Sequence, residues 1–69
     1  MIVLNIFPTI EHLNWCIKNI SENYWHFEIY QKMVQENSEN YSNWIWMYDV
    51  NHMYFRFNED SVLFKLVWA

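Results

Sequence analysis

The stretch Trp44–Phe57, with the sequence WIWMYDVNHMYFRF, decides the fold of this chain. Two runs rich in aromatic and β-branched residues, Trp44–Asp49 and His52–Phe57, flank the short link Val50-Asn51. Such runs are typical of strands, and a link of this length joins two antiparallel neighbours. The stretch therefore predicts a β-hairpin.

A third run, Ser61–Trp68, follows the hairpin after Asn58-Glu59-Asp60 and predicts the last strand of an antiparallel meander. By alternation, the inward set is Met53, Phe55 and Phe57 on the middle strand, and Val62, Phe64, Leu66 and Trp68 on the last strand. The outward set is His52, Tyr54 and Arg56, continued on the last strand by Leu63, Lys65 and Val67. Because this outward row is partly apolar, we expect a partner or a second copy of the chain to cover it. For Trp44–Asp49 the pattern leaves open which row is buried.

The N-terminal half has the period of a helix. Ile2–Phe7 alternates as a short strand that Pro8 ends, and Thr9 is placed to cap a helix. Apolar residues then recur in steps of three and four at Ile10, Leu13, Ile17, Ile20, Tyr24 and Phe27. Residues 9–36 form either one helix or two, and we favour a break near Asn19–Asn23. The polar stretch 36–43 is a connection.

These elements define one domain of the α+β class over residues 1–69. One or two N-terminal helices pack on a three- to four-stranded antiparallel sheet, in the order β-α-β-β-β. The first strand either pairs at the sheet edge or leads into the helix.

The charge balance excludes several functions. Four Lys and Arg residues stand against eight Asp and Glu, a formal charge of −4, which argues against direct binding to nucleic acid. The chain contains no glycine, so a glycine-rich phosphate-binding loop is excluded. The carboxylates show no spacing that indicates a shared catalytic pocket, and we expect no enzymatic activity and no cofactor.

The single cysteine, Cys16, excludes an intrachain disulfide and favours a reducing, cytoplasmic setting. His12 precedes it by four residues on the expected helix, and the two together would form half of a zinc site. The sequence shows no second half, so we expect no bound metal and a buried thiol. The segment Met1–Phe7 has no basic flank and is too short for a signal peptide or a membrane span.

Aromatic residues are in surplus, with five each of Phe, Trp and Tyr. So small a core cannot enclose fifteen large rings, so some must reach the surface and mark a contact site. The candidate anchors for a protein partner are Trp44, Trp46, Tyr48, Tyr54 and Trp68. A charged rim of Asp49, Glu59 and Asp60 would favour a partner with a basic surface.

In size, acidic charge, surplus of aromatic residues and lack of catalytic motifs, the chain resembles the small acidic proteins that phages direct against host machinery, of which the anti-CRISPR proteins are one class. The resemblance also lies in a bias toward Asn, Ile, Tyr, Lys and Glu. It implies a non-catalytic inhibitor that occupies a surface of a host nucleic-acid-processing complex. The alternative is a structural or adaptor subunit that self-associates, as a homodimer, through its aromatic sheet face.

Overall fold

The computed structural model describes residues 1–36 and 43–68. Within these ranges the chain forms, in order, β1 (Ile2–Leu4), α1 (Ile10–Asn19), β2 (Tyr24–His26), α2 (Phe27–Gln35), β3 (Trp46–Tyr48), β4 (Met53–Phe55) and α3 (Asn58–Trp68). The four strands make one mixed sheet with the spatial order β1-β4-β3-β2. The α+β class is confirmed, whereas the order of elements and the wholly antiparallel sheet are corrected.

The predicted hairpin is the centre of the sheet. Strands β3 and β4 pair antiparallel, with Trp46 opposite Phe55, and Asp49 N–H donates to the His52 carbonyl (3.0 Å) across the turn. Strand β1 pairs antiparallel with the other side of β4, where Ile2 lies opposite Phe55. The N-terminal strand is therefore an edge strand of the sheet, one of the two alternatives that its sequence leaves open.

Strand β2 is an element that the sequence pattern does not predict. It lies within the predicted helical stretch 9–36 and pairs parallel with β3, so that Trp25 stands opposite Met47. Helix α1 ends at Asn19, so the expected break near Asn19–Asn23 is confirmed, and a strand follows it directly. Helix α2 lies in the connection between β2 and β3, and parallel neighbours require such a crossover rather than a tight turn.

Both faces of the sheet are covered by this chain's own helices. On one face the buried residues of the sheet pack with α1 and α3: Trp46, Met53 and Phe55 with Cys16 and Phe64. On the other face Met47 and Tyr54 pack with Trp44, Trp25 and the first two turns of α2. Helix α2 covers Tyr54, one residue of the row that was expected to be covered by a partner or a second copy, whereas Leu63 and Val67 of the same row are exposed.

Helix α1 begins at a capping box. The Thr9 hydroxyl accepts a hydrogen bond from His12 N–H (3.2 Å), and His12 Nδ1 accepts one from Thr9 N–H (3.0 Å). Two of the four free N–H groups at the helix start are thus satisfied, with histidine in the place where Glu or Gln is usual. The predicted cap at Thr9 is confirmed.

The run predicted as the third strand of the meander, Ser61–Trp68, is helical. Helix α3 buries Ser61 and Phe64, and Trp68 packs against the same cluster, so the buried positions follow steps of three and four. The run is apolar at nearly every position and therefore fits the strand and helix periods equally. Its start is acidic and Lys65 lies in its last turn, which suits the helix dipole.

The predicted middle strand is shorter in the structure than the sequence pattern indicates. Phe57, predicted to face inward from the middle strand, is exposed, because β4 ends at Phe55 and α3 begins at Asn58. Most of the predicted connection 36–43 lies outside the described residues. In the described ranges, none of the helices has both the length and the hydropathy required to cross a membrane.

Candidate protein-docking surface

Helix α3 carries apolar side chains on the side turned away from the sheet. Val62, Leu63, Leu66 and Val67 are all exposed, and Leu66 keeps 79% of its accessible surface. These residues follow one another at helical spacing, so they share one face, which we name the outer α3 face. A contiguous set of exposed apolar residues is a common mark of a contact site.

Acidic residues lie at the N-terminal end of this face. Glu59 is exposed and precedes Val62 and Leu63 by one helical turn, and Asp60 follows it. Burial raises the pKa of the Asp60 carboxyl above its usual value, and the neighbouring Glu59 adds to the rise. Both carboxylates also stabilise the helix N-terminus. Of the predicted rim, Glu59 and Asp60 thus lie beside an exposed apolar surface.

The predicted anchors Trp44, Trp46 and Tyr54 are core residues, and this part of the prediction is corrected. Trp46 has no exposed surface, and its indole Nε1–H donates to the Ser21 carbonyl (2.8 Å). Trp44 is buried beneath the Arg56 guanidinium, whose carbon lies 5.8 Å from the ring centroid. A side chain that its own chain encloses offers no area to a partner.

Tyr48 and Trp68, the other two predicted anchors, are half-buried. Tyr48 lies among the rings of β2 and β3, with its centroid 6.2 Å from that of Tyr24 and 5.1 Å from that of His26. Trp68 packs against His12, with ring centroids 4.5 Å apart. Its Nε1–H is buried and finds no acceptor among the described residues, an arrangement that costs about 1–3 kcal/mol.

Asp49, predicted as a charged rim residue, holds the β3-β4 turn together. One carboxylate oxygen accepts from Asn51 N–H (2.9 Å) and lies 3.1 Å from His52 Nδ1, while the other accepts from the Tyr54 hydroxyl (2.5 Å). Burial acts to raise the pKa of Asp49, but these hydrogen bonds and the His52 ring outweigh it and lower that pKa. Burial and the same contact raise the pKa of Tyr54 to about 12. Asp49 is thus engaged within the hairpin.

His12 and Cys16 lie four residues apart on α1, as predicted, but the Cys16 thiol is not accessible to solvent. Cys16 is fully buried under the sheet, and burial, with a smaller effect from Asp60, raises the pKa of the thiol to about 12. A thiol of this kind is protonated at neutral pH and is a poor nucleophile and metal ligand. Among the described residues, no group of three or more His, Cys, Asp or Glu side chains is arranged to hold a metal ion.

Sequence reasoning missed two aromatic residues on the edge strand β2. Tyr24 is exposed and stacks on Trp46, with centroids 4.6 Å apart and planes 13° apart. His26 caps α2 by accepting a hydrogen bond from Glu28 N–H (3.2 Å). The residues of Tyr24–His26 were assigned to a helix, and three residues are too few to show a period of two.

Helix α3 therefore carries four exposed apolar residues on one face. Leu63 and Val67 were predicted to lie on an outward apolar row, and the structure places them on the outer α3 face, although on a helix. Val62 and Leu66 were assigned to the opposite row of a strand, and the helical period brings all four together. The comparisons with family models, curated proteins and solved structures found no match to this chain.

Proposed function

We propose that this chain is a non-catalytic inhibitor that docks on another protein through the outer α3 face. The observation that carries the proposal is the exposure of Val62, Leu63, Leu66 and Val67 on one side of one helix. The complementary surface on a partner is an apolar groove that receives one face of a helix. The target class, a host nucleic-acid-processing complex of the kind anti-CRISPR proteins block, follows from the chain's resemblance to that class.

The negative charge of this chain favours a partner whose groove carries basic residues. The chain carries a formal charge of −4, and Glu59 and Asp60 stand at one end of the outer α3 face. A groove with Lys or Arg at the matching end would attract this surface before contact and would set the direction of the helix in the groove. Nucleic-acid channels are basic because their Lys and Arg residues neutralise phosphates. An acidic chain docked beside such a channel would therefore oppose entry of the nucleic acid.

A non-catalytic mechanism is supported by the state of the reactive groups. The Cys16 thiol is buried with its pKa raised, and Asp49 and Tyr54 are committed to each other in the hairpin. Inhibition by occupation requires only a stable surface, which the two buried clusters supply by fixing α3 against the sheet.

The test is binding of purified candidate complexes by the intact chain and by the variant Leu63→Glu/Leu66→Glu. Charge placed in the centre of the contact should weaken binding by at least about 30-fold, the scale of a hot spot. The matched control is Ile29→Glu, which alters an exposed apolar residue of α2 and should leave binding unchanged. Association should also slow between about 50 and 300 mM salt. Equal binding by both variants would refute the assignment of the surface.

Self-association is the second candidate function, and the same face favours it. On the aromatic sheet face first considered for this role, α2 packs over Tyr54 and Met47, whereas two outer α3 faces could pack across a two-fold axis. Sedimentation equilibrium separates the two functions. A dimer that Leu63→Glu/Leu66→Glu converts to a monomer supports self-association. If the unaltered chain is a strict monomer at high micromolar concentration, self-association is excluded and the inhibitor function is the one that stands.

A further inference from the structure

A groove lies between the end of β1, helix α1 and the inner edge of α3, and we name it the β1-α3 groove. It has a volume of about 310 Å³, at the lower end of the range for small-molecule sites. Its apolar walls are Leu4, Ile6, Phe64 and Trp68. Such walls suit a short hydrocarbon chain rather than a polar metabolite.

Three polar side chains line this groove: Asn5, whose amide can donate or accept a hydrogen bond, and Lys65 and His12. Lys65 is the cationic residue of this lining, and His12 carries an imidazole. The capping box fixes the tautomer of neutral His12, because Nδ1 accepts from Thr9 N–H and the ring proton must therefore lie on Nε2. Both side chains can therefore donate a hydrogen bond.

A second groove differs from this one in the charge of its lining. The groove beside the β3-β4 turn has a similar volume, about 330 Å³, but Glu28 and Asp49 line it. No aspartate or glutamate is among the described residues that line the β1-α3 groove. In a chain with eight acidic residues and four basic ones, this groove combines apolar walls with a cation and is free of carboxylates.

We infer that the β1-α3 groove binds a small amphiphile with one carboxylate and an unbranched hydrocarbon tail. The tail lies along Leu4, Ile6 and Phe64, and the carboxylate pairs with Lys65 and with His12 Nε2–H. A charge-assisted hydrogen bond of this type is stronger than a neutral one, so the carboxylate should decide between ligands with equal tails. This site is separate from the outer α3 face.

The experiment is a titration of the ¹⁵N-labelled intact chain with sodium octanoate, followed on the tryptophan indole N–H signals. Octan-1-ol supplies the same tail without the charge, and sodium acetate supplies the charge without the tail. Octanoate should bind with a dissociation constant of about 1 mM or tighter and shift the Trp68 signal most. Octanol should bind about tenfold more weakly, and acetate should cause no saturable shift.

Two variants with the same change in net charge test the role of the lysine. Lys65→Gln should weaken octanoate binding about tenfold and leave octanol binding unchanged. Lys32→Gln, on α2 and outside the groove lining, should leave both unchanged. Equal affinity for octanoate and octanol, equal effects of the two variants, or shifts spread over all indoles would overturn the site. A peptide with a free C-terminal carboxylate that binds more tightly than octanoate would overturn the ligand class. None of these results bears on partner binding by Leu63 and Leu66.

Discussion

The hairpin and helix α3 are both dense in apolar residues, yet they are used differently. In the hairpin, Met47, Met53 and Phe55 are fully buried, because a strand in the middle of a sheet has packing partners on both faces. Helix α3 lies outside the sheet and buries only the side that carries Ser61 and Phe64. An apolar run in the sequence therefore does not show which of its side chains are buried and which are free to contact another protein. That depends on the layer of the fold in which the run lies.

The largest expected difference between the two regions is in the cost of truncating a side chain. Phe55→Ala should lower the free energy of unfolding by about 3–5 kcal/mol, since it empties a fully buried site. Leu66→Ala, which alters a side chain with most of its surface in water, should change it by less than about 0.5 kcal/mol. Urea unfolding followed by circular dichroism measures both values.

A chain of this size has a small total stability, so Phe55→Ala could be largely unfolded. Phe55→Leu is the milder variant and should retain the fold with a smaller loss. A loss of 2 kcal/mol or more for Leu66→Ala in the monomer would contradict the comparison, because it would mean that the outer α3 face is enclosed.

Two tryptophans sharpen the same comparison. Trp46→Phe removes an indole that donates to the Ser21 carbonyl and should cost about 2 kcal/mol. Trp68→Phe removes an indole N–H without an acceptor in the described part of the chain, and should cost less than about 1 kcal/mol. Thermal unfolding of both variants measures the difference, at about 4–8 °C per kcal/mol for a domain of this length. Equal costs would contradict the assigned hydrogen-bonding states.

The hairpin turn should depend on pH through Asp49. Because its pKa is lowered in the fold, Asp49 contributes stability above its ordinary pKa, and this contribution is lost as the pH falls through the lowered value. Tyr54→Phe removes one of the hydrogen bonds responsible and should cost about 1–2 kcal/mol at pH 7. Urea unfolding at pH 7 and near pH 2 should show the difference from the unaltered chain shrinking at acid pH. An unchanged difference would exclude Asp49 as the relevant acceptor.

The smallest effect should come from the cap of α1. His12→Ala removes the acceptor for Thr9 N–H and should cost about 0.5–1 kcal/mol. His12→Gln places at this position one of the residues usual in a capping box and should recover most of that loss. Chemical unfolding at pH 7 compares the two variants. A loss that glutamine does not recover would assign the effect to the ring contacts of His12 with Phe64 and Trp68.

The fold was predictable where the hydrophobic pattern and the residues that begin or end an element agree. Two runs of aromatic and β-branched residues around the short link Val50-Asn51 located the hairpin, and Thr9 before a periodic stretch located the start of α1. Helix α3 was missed because an apolar run without polar residues on one side fits either period. The parallel pairing of Tyr24–His26 with β3 depends on the crossover through α2, which no local signal in three residues reveals.

The candidate surface was predictable in kind but not in detail. The surplus of rings indicated that some would be exposed, and Phe7, Tyr24 and Phe57 are. Composition does not tell which rings are enclosed, so Trp46 and Tyr54 were assigned to a surface when both stabilise the core. Leu66 was missed as a surface residue because the strand prediction placed it on the inward row. On the helix α3 the same residue lies on the exposed side.

The pairing of Ile2 with Phe55 has a consequence for the order in which the chain is built. During synthesis from the N-terminus, the first strand emerges long before the neighbour that receives it. Until residues 53–55 arrive, its backbone groups have no strand to pair with, and a long loop must close before that contact forms. Assembly of this sheet therefore has to wait for the hairpin, and chains truncated before residue 53 should be more prone to aggregation than the intact chain.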